Sequence, residues 1–214
     1  MVDILAHNFN YINPYLLLPF YEDGTLQNWV GKNVGWYDAI IAIQNPAKGL
    51  QAVHAFGGIH RDIKPSNLFI ARNASGKKII KVGDFGLGRL PRPFTSGDLT
   101  RHACGTDGYI APELYSPGAK FTQACDIYSL GITGIELITG SRDRDSINPY
   151  WINNDVKQLL LQMTSYDPNH RPDAKTINGT IVRIMKTYDE NFKTVVTVAG
   201  MGLLGYLLYK NIKK

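Results

Sequence analysis

The residues best suited to chemistry lie in one short polar stretch of the 214-residue sequence. It reads His60-Arg61-Asp62-Ile63-Lys64-Pro65-Ser66-Asn67, and its turn-rich composition from residue 57 onward predicts a loop. Asp84 stands seventeen residues beyond Asn67. These two side chains supply amide and carboxylate oxygens, the hard ligands that Mg²⁺ prefers. The triplet around Asp62 is weak evidence when taken alone, because its carboxylate could merely cap a turn or a helix.

Three motifs follow one another along the chain in a fixed order. They are the loop at 60–67, then Asp84-Phe85-Gly86, then Ala111-Pro112-Glu113. This ordered set resembles the catalytic loop, the metal-binding Asp-Phe-Gly and the Ala-Pro-Glu of eukaryotic-type protein kinases. The position of Lys64 and the pair Gly105-Thr106 before Tyr109 are typical of the Ser/Thr kinases. The resemblance implies transfer of the γ-phosphoryl group of ATP to Ser or Thr hydroxyls of a protein substrate.

The resemblance also implies a role for each polar residue of the loop. Phosphoryl transfer needs mainly positioning and charge stabilisation. We expect Asp62 to accept the proton of the substrate hydroxyl and Lys64 to place a cation beside the transferring phosphate. Asn67 and Asp84 are expected to hold Mg²⁺.

An ATP site is expected upstream of this loop, in the sequence YLLLPFYEDGTL. By resemblance, Leu18 lies at the back of the adenine pocket, and residues 19–23 form the hinge between the two kinase lobes. The residues expected to bind ATP are Leu18, Pro19, Phe20, Tyr21, Asn67 and Phe69.

Further residues match kinase positions that support the site. Asp126 resembles the aspartate that holds the backbone of the catalytic loop, and Arg171 resembles the arginine that pairs with the glutamate of Ala-Pro-Glu, here Glu113. The alternatives are a simple cap for Asp126 and an exposed surface position for Arg171. His60 and Phe85 are expected to stack in an internal hydrophobic spine.

Regulation is expected in the long loop at 85–110, where Gly86 belongs to the metal-binding motif and Thr106 precedes Tyr109. Four residues before Thr106, where many kinases carry an activating phosphothreonine, the chain has His102. Thr100, Ser96 or Thr95 would then be the residue that an upstream kinase phosphorylates, and the phosphate would pair with Arg61. Between Gly140 and Asp155 only fourteen residues intervene, so the helix that kinases usually carry there is expected to be shortened or absent.

The secondary structure expected around these motifs is α+β and mainly helical. We predict a strand at 15–20, a hairpin from 68–71 and 78–84, and helices at 36–54, 122–139, 154–165 and 173–187. Pro46 should kink or break the first helix. The predicted fold is protein-kinase-like, chiefly the helical C-terminal lobe, with a partial kinase domain over residues 1–190.

The sequence departs from the kinase pattern before the hinge. No Gly-rich phosphate loop and no Val-Ala-Ile-Lys strand precede Asp62, and the lysines before it are Lys32 and Lys48. The N-terminal lobe is therefore expected to be largely missing. A truncated pseudokinase or membrane-bound scaffold without a complete ATP site is the alternative to an active kinase.

The C-terminal sequence suggests a membrane anchor. Residues 194–209 are sixteen uncharged residues flanked by lysines, about 24 Å of helix. This predicts a transmembrane helix within an anchor and basic tail at 191–214, a single-pass membrane protein, and a cytosolic kinase lobe. A final core helix of the domain is the alternative. The match to G-x-G-x-x-G at 200–205 lies in this apolar run and is not taken as a phosphate loop.

Charge and cysteine content exclude other classes. Residues 1–190 carry 19 basic and 18 acidic residues, a balance that argues against a nucleic-acid partner. The two cysteines, Cys104 and Cys125, form neither a disulfide framework nor a metal-ligand pattern.

Overall fold

The computed structural model of the chain describes residues 1–8, 15–85 and 105–198. Within these ranges two small antiparallel hairpins and four α-helices form the frame, joined by short 3-10 turns. The strands are β1 (Ala6–Asn8), β2 (Tyr15–Leu17), β3 (Leu68–Arg72) and β4 (Lys78–Val82). The helices are α1 (Trp36–Ala55), α2 (Gln123–Thr139), α3 (Asn154–Met163) and α4 (Ala174–Val198). The predicted α+β, mainly helical architecture is therefore present.

The predicted hairpin after the polar loop is confirmed. Strands β3 and β4 pair from Leu68 with Val82 to Arg72 with Lys78. Asn73 shapes the turn, because its Oδ1 accepts hydrogen bonds from the backbone N–H groups of Ser75 and Lys77. Because Leu68 pairs with Val82, the hairpin brings Asn67 and Asp84 together at its open end.

Helix α2 forms the centre of the core, and its apolar side chains are buried around almost its whole circumference. It packs between α1 and α3, while α1 also contacts α4 and β4. Two glycines allow α3 to approach closely. A Cβ at Gly134 would lie 2.7 Å from Leu160, and one at Gly131 would lie 2.7 Å from Thr164. The first turn of this rigid helix carries Asp126.

Helix α1 differs from its prediction at Pro46. The helix runs through this residue from Trp36 to Ala55, and Pro46 is buried. Proline removes one backbone hydrogen bond from a helix, but packing on α2, α4 and β4 favours the continuous form. The side chain of Asn45 also accepts a hydrogen bond from the backbone of Ile80 in β4, at 3.1 Å.

The connection between α2 and α3 contains only the 3-10 turn Arg144–Ser146. The expectation that a helix is shortened or absent here is confirmed for residues 140–153, all of which the structure describes. Gly140, with φ of 73°, ends α2 in the left-handed conformation that glycine adopts at little cost.

The C-terminal prediction is wrong. In the part of the chain that the structure describes, no helix is both long and apolar enough to span a bilayer. This finding corrects the predicted transmembrane helix at 194–209, the membrane partner and the single-pass localisation. Residues 194–198 continue α4, which carries Arg183, Lys186 and Glu190, instead of beginning an apolar helix. Residues 199–209 lie outside the described residues. Helix α4 also crosses the proposed boundary at residue 190, and the division into 1–190 and 191–214 stays a prediction.

Candidate active site

The polar loop at 60–67 is attached to α2 through one buried carboxylate. Oδ1 of Asp126 accepts the backbone N–H of Arg61, and Oδ2 accepts that of His60, both at 2.8 Å. His54, at the end of α1, places Nε2 2.8 Å from the same Oδ2. Asp126 is only 1% exposed. These contacts are worth more than neutral hydrogen bonds because the acceptor is charged, and they support Arg61 at its left-handed φ of 73°.

His60 is a fully buried connection between the loop and the end of β4. Its Nε2 lies 2.9 Å from the carbonyl oxygen of Gly83, and its Nδ1 accepts the backbone N–H of Asp62 at 3.3 Å. Burial lowers the pKa of His60, so the ring is neutral near pH 7 and donates from Nε2. The ring of Phe85 packs edge-on against it, with centroids 4.4 Å apart. The expected contact between His60 and Phe85 is present.

Asp62 stands at the centre of a convergent polar group. Its Oδ1 accepts a hydrogen bond from Thr106 Oγ1 at 2.8 Å, and its Oδ2 lies 2.8 Å from Lys64 Nζ. The amide of Asn67 donates to Oδ2 at 2.9 Å and to the backbone oxygen of Asp62 at 2.8 Å. Lys64 also donates to Thr106 Oγ1 at 2.6 Å. Three side chains from two distant segments of the sequence thus meet at the carboxylate of Asp62.

This group determines the charge of Asp62. Burial by itself would raise the pKa of this carboxyl, but hydrogen bonds from Lys64 and Thr106 outweigh burial and hold the pKa below its usual value. Asp62 is therefore ionised at neutral pH. An ionised, oriented carboxylate beside an ammonium group can accept a proton from a hydroxyl and can stabilise an anionic neighbour.

Asn67 and Asp84 are the two residues expected to bind metal. Both N–H groups of the Asn67 amide are used by Asp62, which leaves its amide oxygen as the atom that it can offer to a cation. Asp84 follows β4 with a positive φ of 57° and is exposed. The described residues contain no group of three or more His, Cys, Asp or Glu side chains arranged for a metal. An amide oxygen with a carboxylate fits a hard cation that keeps several waters.

The residues expected to contact adenine follow β2. Leu18, Pro19 and Tyr21 are half-buried, whereas Phe20 is 89% exposed. The ring of Tyr21 lies 5.4 Å from that of Phe69 in β3, and Gly24 O accepts the backbone N–H of Ile70 at 2.9 Å. The segment after β2 is thus attached to the β3–β4 hairpin, whose open end carries Asn67 and Asp84.

Glu113 and Arg171 form the expected ion pair. The two terminal nitrogens of Arg171 donate to the two carboxylate oxygens of Glu113 at 2.7 and 2.6 Å. The guanidinium also donates to the carbonyl oxygens of Ser165 and Ala124, and it is fully buried. Burial alone would raise the pKa of Glu113, but Arg171 lowers it below its usual value. The pair fastens the segment after Thr106 to the base of α2.

Three residues at this site were missed in the sequence. His54 contacts Asp126, and Tyr109 donates a hydrogen bond to the buried Glu136. Arg142 contacts both Glu136 and the backbone of Asp107. A signal existed for His54, which ends an apolar helix six residues before His60. The partners of Tyr109 lie far along the chain, and no spacing rule predicts them.

A small cavity of about 10 Å³ lies beside Asp62. Its lining is largely apolar and includes Ile63, Tyr109, Ile110, Leu114 and Phe121.

The expected sites at Gly86 and at Thr100, Ser96 or Thr95 lie outside the described residues, so their pairing with Arg61 and the action of an upstream kinase stay predictions. Arg61 itself stacks its guanidinium on the ring of Phe121 at 4.5 Å.

Comparison with known proteins agrees with this geometry. Residues 4–181 match the protein kinase domain family. The chain is 34% identical to the serine/threonine-protein kinase Pkn1 of Myxococcus xanthus over 127 residues, which is 59% of this chain and 18% of that protein. It is 31% identical over 181 residues to a probable serine/threonine-protein kinase of Dictyostelium discoideum, covering 76% of this chain and 21% of the relative.

A third relative is the interferon-induced, double-stranded RNA-activated protein kinase of Rattus norvegicus. It is 29% identical over 183 residues, which is 78% of this chain and 34% of that protein. The chain thus spans between about a fifth and a third of the length of these relatives. The kinase match itself covers most of the chain, and protein kinases act on protein substrates with ATP and a divalent metal. The chain belongs to the eukaryotic-type Ser/Thr protein kinase family.

Proposed function

We propose that this chain transfers the γ-phosphoryl group of ATP to Ser or Thr hydroxyls of protein substrates. The observation that carries the proposal is the convergence of Lys64, Asn67 and Thr106 on the carboxylate of Asp62. A structural turn would need no such combination of a cation, an amide and a hydroxyl around one ionised oxygen pair. A positioned base beside a cation is what phosphoryl transfer requires.

Asp62 is the proposed acceptor of the substrate proton. Its lowered pKa keeps it ionised but makes it a weak base. Weak basicity is tolerable here because the transition state of phosphoryl transfer is loose, and the proton leaves the hydroxyl late. Orientation then matters more than base strength, and the three hydrogen-bonding partners supply that orientation. The ammonium group of Lys64 stabilises negative charge on the transferring phosphoryl oxygens.

The amide oxygen of Asn67 and the carboxylate of Asp84 are the proposed holders of Mg²⁺. When bound, this ion would neutralise charge on the phosphates of ATP. Leu18, Pro19, Phe20 and Tyr21, together with Phe69 of β3, are the residues proposed to contact the adenine.

A labelled-transfer assay on the Asp62→Asn variant tests the proposal. With γ-labelled ATP, Mg²⁺ and a degenerate Ser/Thr peptide library, we expect the rate to fall by about 10²- to 10⁴-fold. Asn keeps the shape of the side chain, so the thermal midpoint should stay close to that of the wild type. Asp155→Asn is the matched control, because Asp155 is exposed in the first turn of α3.

The outcomes separate the two functional hypotheses. An unchanged rate in Asp62→Asn would remove Asp62 from its proposed role. Absence of transfer by the wild-type chain, together with absence of saturable nucleotide binding, would favour the truncated pseudokinase or scaffold hypothesis, in which the ATP site is incomplete.

A further inference from the structure

A buried carboxylate near the end of α2 lies outside the motifs discussed so far. The side chain of Glu136 is only 8% exposed. It accepts a hydrogen bond from the phenol of Tyr109 and lies 3.6 Å from Nε of Arg142. Burial raises the pKa of Tyr109, so the phenol stays protonated and is the donor. An unpaired carboxylate in this position would be costly, and Arg142 is its cationic partner among the described contacts.

Arg142 also contacts the segment at 105–109 directly. Its Nη1 donates to the carbonyl oxygen of Asp107 at 2.9 Å, and its guanidinium carbon lies 5.4 Å from the centre of the Tyr109 ring. Gly108 has a φ of +85°, and a Cβ there would lie 2.8 Å from Nη1. The backbone of this segment therefore fits closely around the guanidinium group. A planar group with several donors can make these contacts simultaneously, which an ammonium group cannot.

The same segment carries Thr106. The backbone N–H of Tyr109 donates to the carbonyl oxygen of Thr106 at 3.1 Å, which closes a turn over residues 106–109. On the other side of this turn, Thr106 Oγ1 donates to Asp62 and accepts from Lys64. A continuous set of contacts thus joins Arg142, through the turn, to the carboxylate of Asp62.

We propose that Arg142 is a positioning residue for phosphoryl transfer, which holds the turn at 106–109 so that Thr106 stays hydrogen-bonded to Asp62. The expected kinetic effect of Arg142 rests on the proposed function. The contact between Arg142 and the turn does not depend on that function. Arg142 itself touches neither Asp62 nor Lys64 in the described contacts, and it acts through Thr106.

Hydrogen–deuterium exchange tests the physical link without any need for activity. In Arg142→Ala we expect peptides covering residues 105–111 to exchange about tenfold faster than in the wild type, because the turn loses its side-chain support. Arg144→Ala is the matched control. Arg144 also lies over a tyrosine, Tyr166, and donates to Thr164 Oγ1, and among the described contacts it makes none with the turn at 106–109. Unchanged exchange at 105–111 in Arg142→Ala would overturn the proposal.

Kinetics test the route through Thr106. We expect Arg142→Ala to lower kcat about tenfold with little change in KM for ATP, because Asp62 is less well oriented whereas the residues proposed to contact adenine lie outside the turn. The double variant Arg142→Ala/Thr106→Val should be no slower than Thr106→Val alone. If the losses of kcat from the two substitutions add in the double variant, Arg142 does not act through Thr106, and the proposal is overturned. A wild-type chain without transfer activity would count against the proposed function, while the exchange result would still decide whether Arg142 holds the turn.

Discussion

Two segments that the proposed function places around one nucleotide are held in very different ways. The loop at 60–67 is tied to α2 by a carboxylate that is 1% exposed and accepts three hydrogen bonds. The segment after β2 follows the two-stranded β1–β2 hairpin. Leu17 at the end of β2 is 53% exposed, and Phe20 in the segment is 89% exposed. An isolated two-stranded hairpin is marginally stable in water. The half of the site that would handle the proton is thus built into the helical core, whereas the half that would hold adenine is attached to it through the β3–β4 hairpin.

This difference between the two segments reflects where the buried polar groups lie in the fold. Asp126, His54 and His60 are buried, and they serve the backbone of the loop rather than a substrate. Such groups are tolerated in a core only when each is hydrogen-bonded. The orientation of Asp62 therefore depends on the packing of the core beneath it. Substitutions in the core can test the comparison between the two segments.

The largest effect on stability is expected for a substitution that releases the loop at 60–67. Replacing Asp126 by Ala leaves the N–H groups of His60 and Arg61 and the ring of His54 without their acceptor. We expect the free energy of unfolding to fall by about 3–5 kcal/mol, as for other broken buried charge contacts. Urea unfolding at pH 7 measures it, with Asp155→Ala as the exposed control. A loss below about 1 kcal/mol would mean that the loop does not depend on α2.

An intermediate effect is expected from acid titration of the Glu113–Arg171 pair. Because Arg171 lowers the folded-state pKa of Glu113 below its ordinary 4.5, the pair stabilises the fold above about pH 4.5. This contribution is lost as the pH falls through the lower folded-state pKa. Glu113→Gln should therefore melt at a lower temperature than the wild type at pH 7, and the gap should narrow below pH 4.5. Parallel melting curves from pH 7 to pH 3 would contradict the assignment.

The smallest effect is expected at the hairpin side. Phe20 is 89% exposed, so Phe20→Ala should change the free energy of unfolding by less than about 0.5 kcal/mol. Urea unfolding of Phe20→Ala and Asp126→Ala under the same conditions measures both changes in the free energy of unfolding. A loss comparable to that of Asp126→Ala would erase the contrast between the two segments.

Sequence alone was sufficient for the features that are local or that follow a known order of motifs. The β3–β4 hairpin and helices α2 and α3 were predicted to within a few residues, because turn residues and apolar spacing define them. The contacts of Asp126 with the loop and of Arg171 with Glu113 also follow from the kinase resemblance. These contacts join distant segments, and the spacing of the residues by itself would not have found them.

The errors arise where tertiary packing decides between local alternatives. Pro46 predicts a kink or a break in α1, and the break does not occur, because packing on three neighbouring elements favours the continuous helix. The apolar run from residue 194 was read as a separate helix, whereas its first five residues extend α4. Arg142 was missed because a surface arginine after a helix has no pattern that distinguishes it from a solvated one.

Site-resolved hydrogen exchange of the wild-type chain tests the contrast most directly. The amides of His60 and Arg61 lie in a loop, yet they donate to the buried Asp126, whereas the amide of Leu5 donates to Leu17 in the β1–β2 hairpin at 2.9 Å. We predict that the two loop amides exchange about a hundredfold more slowly than that of Leu5. Equal rates, or faster exchange at His60 and Arg61, would contradict the claim that the core holds the loop at 60–67 more firmly than the β1–β2 hairpin.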